Sequence, residues 1–217
     1  MFEIVTLSKI HDIFDPLVMS QLGEREFQAV TRATWLRSAD APIRQIFSIV
    51  QWKGGKIAPV WGLSLDFVPH LSGKNIRWHR TPKSAMFDLR IDSRDRDLDI
   101  SYMKGPDEII RRAPSVASNA LAKAISFWDK HASLEALPSA VKHMREHLSS
   151  GGLGFYNYTQ APIAAAFIFA KNGMETEGMV ELNRFLEGRD VDAETNEKLS
   201  RLFNDATADN DIEVTDA

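Results

Sequence analysis

The stretch Ile43–Val68, IRQIFSIVQWKGGKIAPVWGLSLDFV, decides the fold of this chain. Two runs of apolar, β-branched and aromatic residues flank Gly54 and Gly55, and a two-residue Gly-Gly loop between such runs predicts a β-hairpin. This loop sets Lys53 opposite Lys56. The other predicted cross-strand pairs are Trp52–Ile57, Val50–Pro59, Ser48–Trp61 and Ile46–Leu63.

The predicted pairing also assigns the two faces of the hairpin. The four pairs share one face because side chains alternate along a strand, and we assign this largely apolar face to the core. The opposite face is mixed and is expected to be half covered; it carries Gln45, Phe47, Ile49 and Gln51 against Ala58, Val60, Gly62 and Ser64. Pro59 has no N–H for a ladder, so its outer side should be unpaired or bulged.

Composition limits the class of protein. The chain has 217 residues, of which 44% are hydrophobic and 26% charged, and this balance is typical of a globular protein. It has no cysteine, which excludes disulfides, thiol catalysis and cysteine-ligated zinc. We see no secretory signal and no apolar run near ~18 residues, so we expect a soluble, cytoplasmic bacterial protein without a membrane partner.

The N-terminal half predicts a helix followed by an antiparallel sheet of about five strands. Residues 7–22 carry apolar side chains at helical spacing, with a possible kink at Asp15-Pro16. The predicted strands besides the hairpin are Glu26–Arg37, Ala85–Asp92 and Leu98–Tyr102, the last pairing with the one before it. In Ala85–Asp92 the side chains of Phe87, Leu89 and Ile91 should face inward, and those of Asp88, Arg90 and Asp92 outward. Ser38 to Pro42 should be a turn, and Pro69 to Ser84 a polar connection.

From Pro106 onward the apolar period becomes helical, which predicts an α+β fold with a helical C-terminal part. We place a domain boundary at the joint Gly151–Gly154, giving an α+β domain over 1–150 and a helical extension over 151–205. Thr159 and Asp192 are predicted helix caps. Residues 206–217 should form an acidic, frayed tail; residues 190–217 hold nine acids and two bases, so the rest of the chain carries a net +3.

Two segments resemble known families. Residues Ala161 to Glu187, A-x-x-F-x-x-A-K-N-G followed by E-G-x-x-x-L-x-R-x-L, resemble one helical hairpin of the tetratricopeptide type, although Gly178 stands where that repeat usually has Ala. The order of a helix, a W-x-R strand and the F-S-I-V-Q, W-G-L-S-L and F-D-L-R-I strands is similar to the uncharacterised bacterial domain-of-unknown-function 4304 family. That second resemblance spans about residues 5–130 and implies a fold but no active site.

One stretch combines cations with an aromatic side chain. Arg77, Trp78, His79, Arg80 and Lys83 form the most basic stretch of the chain. Such a group can hold a phosphate or single-stranded nucleic acid by charge and stacking, or it can be a solvated loop. Together with Arg90, the residues Arg77, Trp78, His79 and Arg80 are our candidate ligand-binding residues.

Other charged clusters carry less specific signals. Asp88, Arg90 and Asp92, with Asp97 and Asp99 nearby, could bind a divalent cation or act as acid and base, but they also fit an ion-pair ladder. His143 and His147 are four residues apart, near His131, yet no H-E-x-x-H motif is present. We therefore assign no metal site and no cofactor. Neither a G-x-S-x-G elbow nor a phosphate-binding G-x-x-x-x-G-K-[ST] loop occurs.

Three functions stay open at the level of sequence. The first is a non-enzymatic binding or interaction protein that uses the mixed hairpin face and the Arg77–Lys83 loop. The second is an enzyme or binding domain for a small anionic ligand, with Arg77, His79, Arg80 and Arg90 as counter-charges. The third, least favoured, is a weak nucleic-acid binder.

Overall fold

The computed structural model describes residues 5–37, 42–52, 54–92, 96–149, 161–187, 189 and 191–208. Within these ranges the helices are α1 Leu7–Leu22, α2 Pro106–His131, α3 Leu137–Ser149, α4 Ala161–Lys171, α5 Glu175–Glu187 and α6 Ala193–Thr207. The strands are β1 Gln28–Thr31, β2 Thr34–Arg37, β3 Ile43–Trp52, β4 Lys56–Leu65, β5 His70–Ser72, β6 Asn75–Arg77, β7 Leu89–Asp92 and β8 Ile100–Ser101. An N-terminal helix, an antiparallel sheet and a helical C-terminal region follow one another, so the predicted α+β fold is confirmed.

The main sheet has the strand order β1-β2-β3-β4-β7 and is antiparallel throughout. β8 pairs with β4 next to β7, whereas β5 and β6 form a separate hairpin. Along the edge of β4 that points away from β3, β8 pairs at Lys56 and Ile57, and β7 pairs from Val60 to Leu63. Pro59 falls between these two partners, so its missing N–H costs no ladder bond, as predicted.

The β3–β4 hairpin forms at the double glycine, but its register differs by one residue from the prediction. Trp52 pairs with Lys56, which leaves three residues rather than two between the strands. Lys53, predicted to face Lys56, lies outside the described residues. Since side chains alternate, a shift of one residue exchanges the two faces of β3 relative to β4. Phe47 and Ile49, predicted for the mixed face, therefore lie in the core.

Helices α1 and α2 cover one face of the sheet, which we call the inner face. It carries Trp35, Phe47 and Trp61, each nearly inaccessible to water. Trp128 of α2 donates a hydrogen bond to the backbone oxygen of Gly62 (2.9 Å), and Trp35 donates to Asp15 of α1 (2.7 Å). These two indole N–H groups join the helix layer to the sheet while their rings fill the core.

The opposite, outer face of the sheet carries the β3 side chains Arg44, Ile46, Ser48, Val50 and Trp52. Their partners on β4 are Ser64, Gly62, Val60, Ala58 and Lys56. Arg44, Ile46 and Ser48 are buried, and Trp52 is half-buried, although the sequence predicted the last three of these for the core face. A side chain at Gly62 would place its Cβ 1.8 Å from the backbone oxygen of Leu89, so the close approach of β7 requires glycine there.

Four further predictions need correction. The predicted strand Glu26–Arg37 is two strands, β1 and β2, joined by a turn in which Ala33 adopts φ 58°. The predicted connection Pro69–Ser84 contains the β5–β6 hairpin and one 3₁₀ turn, and the strand predicted for Leu98–Tyr102 pairs with β4 rather than β7. The helical apolar spacing after Pro106 predicts a buried Ile110, but in α2 the core residue is Ile109 and Ile110 is 55% exposed.

The C-terminal helices pack around α4. Nine of its eleven residues are buried. Among them are four that the helical spacing of the sequence predicts as core positions: Ile163, Ala166, Phe167 and Ala170. The predicted cap of α6 is confirmed, because Asp192 accepts the backbone N–H of Thr195 (2.9 Å). Lys74, in the β5–β6 turn, lies 3.0 Å from the Asp192 carboxylate.

Several predictions fall outside the described residues. They concern the turn at residues 38–41, the joint at 151–154, the cap Thr159 and most of the acidic tail. The division into domains at residue 150 stays a prediction. None of the described helices is long and apolar enough to cross a membrane.

Candidate functional site

The segment Trp78–Phe87, which we call the strap, links β6 to β7 and crosses the outer face of the sheet. Its middle forms a 3₁₀ turn, Pro82–Ser84, that is closed by a reciprocal capping box. Thr81 Oγ1 accepts the backbone N–H of Ser84 (3.3 Å), and Ser84 Oγ accepts that of Thr81 (3.1 Å). The strap thus has a defined shape although it contains no long helix or strand.

Arg44 fixes the strap to the sheet from below. Its guanidinium forms a two-point ion pair with Asp66, with 2.7 Å between Nη2 and Oδ2. The same group donates to the backbone oxygens of His79 (3.4 Å) and Arg80. Burial lowers the pKa of Arg44, but a guanidinium starts so high that it keeps its charge. Arg80 closes the arrangement by donating from Nε to the backbone oxygen of Asp66 (3.0 Å).

His70, His79 and Asp88 form a second cluster under the start of the strap. Asp88 is buried, although the sequence predicted it to face outward, and one of its oxygens accepts the backbone N–H of Leu65 (2.7 Å). Its other oxygen lies 2.9 Å from His70 Nε2. The ring of His79 stands edge-on to that of His70, with 4.2 Å between centroids and an 87° angle.

Burial is the largest influence on the pKa values of Asp88 and His79. It raises the pKa of Asp88, while His70 and the backbone N–H of Leu65 act in the opposite direction. Burial, and then the neighbouring His70, lower the pKa of His79. The neutral imidazole of His79 is therefore the form that this half-buried position favours.

A cleft of about 260 Å³ lies between the strap and the β1–β2 hairpin. It is lined by Val30, Thr31, Thr34, Ile46, Pro82, Lys83, Ala85, Met86, Phe87 and Arg90. Most of these side chains are apolar, two are cationic, and none is acidic. Arg90 donates from Nε to Asp92 (2.6 Å), and its side chain is only 11% exposed. Its guanidinium carbon lies 5.3 Å from the Trp52 ring and 5.6 Å from the Phe87 ring.

The candidate binding residues do not all meet at one place. Arg90 lines the cleft, together with Lys83. Arg77 is exposed at the end of β6, and His79 belongs to the buried cluster. Arg80 lies over the indole of Trp78, with 4.3 Å between the guanidinium carbon and the ring centroid. This cation–π contact occupies one face of the indole.

The other charged clusters noted in the sequence make local contacts, and the rings of His131 and His143 lie 5.6 Å apart. Asp99 pairs with Lys56 (3.1 Å), and Arg112 donates to the backbone oxygens of Asp97 and Asp99. His131 Nδ1 lies 3.0 Å from Ser139 Oγ, but that hydroxyl donates to a backbone oxygen and so serves the local turn. The side chain of His147 lies outside the described part of the chain. Among the described residues, no three His, Asp or Glu side chains are placed to hold a metal ion.

Sequence reasoning missed Arg44, Asp66 and His70. Arg44 stands second in an otherwise apolar strand, and Asp66 directly follows the next apolar strand. Because a buried charge needs a partner, these two opposite charges at the same end of a predicted hairpin were a usable signal. No comparable signal links His70 to His79 and Asp88.

Comparisons with known proteins give no information on function, so the cleft is the main evidence. No protein-family model, curated protein or solved structure matches this chain. The resemblances to the domain-of-unknown-function 4304 family and to a tetratricopeptide hairpin stay predictions.

Proposed function

We propose that this protein binds a small amphiphilic anion, such as a medium-chain carboxylate, in the cleft under the strap. Small-molecule sites are typically concave and mostly apolar, with a few converging polar groups, and have volumes of about 300–1,000 Å³. The cleft has this composition and lies slightly below that range, at about 260 Å³. It therefore suits a ligand with one charged group and a short apolar body.

The observation that carries the proposal is that two cationic side chains, Arg90 and Lys83, line a cleft that has no acidic side chain in its lining. Arg90 is held by Asp92 and flanked by the rings of Trp52 and Phe87, so its planar group is fixed in orientation. A preorganised guanidinium suits a carboxylate, and a partly enclosed site weakens the attraction less than open water does.

The sequence predicted the mixed hairpin face and the Arg77–Lys83 loop as a surface for a protein partner, and the same loop as a weak nucleic-acid site. Phe47 and Ile49 of that face lie in the core, so the face is not a continuous exposed surface. Arg80 covers one side of Trp78, which restricts the indole as a stacking platform for bases. The buried residues of the hairpin face disfavour a large protein partner, and the covered indole disfavours a nucleic acid, so a small ligand is favoured.

Isothermal titration calorimetry with octanoate, octan-1-ol and inorganic phosphate tests the proposal. We expect octanoate to bind at one site, and octanol about tenfold or more weakly, because a hydrogen bond to a charged group contributes about 1.5–3 kcal/mol. Phosphate should bind still more weakly, since it cannot fill the apolar part. Equal affinity for octanoate and octanol, or a preference for phosphate, would refute the proposal.

Lysine variants provide a matched control. Lys83 lines the cleft, whereas Lys142 is an exposed lysine on α3. Lys83→Met should weaken octanoate binding severalfold and leave octanol binding unchanged, while Lys142→Met should change neither. The same loss in both variants would show that only the overall charge matters.

A further inference from the structure

His79 connects the strap to two other parts of the molecule. Its backbone oxygen accepts from Arg44 on β3, and its ring packs edge-on against His70 on β5. The backbone of Ser84, in the 3₁₀ turn, is also close enough to the ring to act on its pKa, which it raises. One wall of the cleft is formed by this turn and the residues after it, namely Pro82, Lys83, Ala85, Met86 and Phe87. The position of His79 therefore helps to set the position of that wall.

We propose that the strap is a pH-sensitive gate: neutral His79 holds it closed over the cleft, and protonation of His79 in mild acid releases it. This inference concerns access to the cleft. Its consequence for ligand binding rests on the function proposed above. The gate itself is a property of the ligand-free protein.

The charges around His79 favour release on protonation. The ionisable groups that face it are His70 on β5, Arg77 at the end of β6, Arg44 on β3 with its partner Asp66, Arg80 on the strap, and Asp88 before β7. Asp66 is already engaged by Arg44, and Asp88 faces His70. A proton on His79 therefore adds a positive charge beside His70 and Arg77, which both lower its pKa, in a half-buried site.

The direction of the pH effect follows from the pKa of His79. Burial first, and then His70 and Arg77, lower this pKa, and together they outweigh the opposing effects of the Ser84 carbonyl and Asp88. In an open strap the ring would meet water and recover a pKa near the ordinary value of about 6.5. The open form then binds more protons than the closed form. Opening becomes more favourable as pH falls below about 6.5, by at most about tenfold per pH unit.

Hydrogen–deuterium exchange of the ligand-free protein at pH 7.5 and 5.5 tests the gate. After correction for the intrinsic pH dependence of amide exchange, we expect strap amides to exchange severalfold faster at pH 5.5, while β3 and β4 stay unchanged. The change should disappear in His79→Gln, which is neutral at both values, and persist in His143→Gln, a variant of an exposed histidine on α3. An unchanged strap in the natural protein, or an equal change in His79→Gln, would overturn the proposal.

A second measurement covers the case in which His79→Gln does not fold. An NMR titration of the natural protein follows the His79 ring and the strap amides together. A shared midpoint below about 6.5 supports the gate, and different midpoints overturn it. Octanoate affinity at both pH values separates the two proposals, because a carboxylate stays mostly ionised at pH 5.5. If the strap opens but octanoate binds at neither pH, only the binding function is refuted. If octanoate binds equally tightly at both pH values and exchange of the strap amides does not change, only the gate is refuted.

Discussion

Replacing Arg44 by Met should weaken both the fold and the strap. The side chain of Arg44 is 5% exposed and that of its partner Asp66 is 17% exposed. Removing one member of a buried ion pair costs about 3–5 kcal/mol, because the other charge stays buried without its partner. Asp66 keeps some contact with water, so we expect the lower end, about 3 kcal/mol, measured as the free energy of unfolding in urea. Domains of this kind are stable by about 5–15 kcal/mol, so the variant should still fold.

Two companion variants separate the buried pair from a general charge effect. Arg44→Met combined with Asp66→Leu removes both charges, and it should recover at least half of the lost stability. Lys198→Met breaks the exposed pair with Glu194 on α6 and should cost less than about 1 kcal/mol. A loss below about 1 kcal/mol in Arg44→Met, or a double variant no more stable than the single one, would refute the reasoning.

Two further predictions concern the helices. Gly178→Ala would place a Cβ 2.9 Å from the Phe203 ring, so we expect a loss of about 1–3 kcal/mol in urea unfolding, and an unchanged or higher stability would contradict this packing. Burial, then His143, lower the pKa of His131, so the unfolded chain binds this proton more readily and stability should fall as pH drops below about 6.5. His131→Gln should reduce the fall in urea midpoint between pH 7.5 and 5.5; an identical pH profile would show that His131 does not contribute.

Local signals account for the parts of the fold that were predicted correctly. The 7–22 helix follows from apolar spacing, and the start of α6 follows from one capping side chain, Asp192. The turn between β3 and β4 follows from two glycines, which both adopt positive φ. Each of these features depends on residues that are close in sequence.

The hairpin register could not be read from the sequence, because both faces of β3 are covered. Ile46 and Phe47 are neighbours on opposite faces, yet both are buried, one towards the strap and the other beneath the helices. The alternation of apolar and polar residues that normally fixes the faces is therefore missing. The double glycine is compatible with a loop of two or three residues, and the tertiary contacts decide between them.

The candidate site was only partly predictable for the same reason. Arg90 was chosen from its charge, and the structure brings it into the cleft with Lys83. Asp88 looked like a solvent-facing residue because it alternates with Leu89, but the strap folds back over that side. The contact that holds the strap joins Arg44 to His79, 35 residues later in the chain. A contact between residues so far apart in sequence cannot be predicted from a local sequence pattern.

The most direct test of the cleft as a binding site is amide chemical-shift mapping with octanoate on ¹⁵N-labelled protein. Our account predicts saturable shifts that are largest in residues 30–34, at Ile46 and in residues 83–90. Largest shifts at the exposed Arg77 and Trp78, or on α5 and α6, would contradict it, as would shifts that grow without saturation.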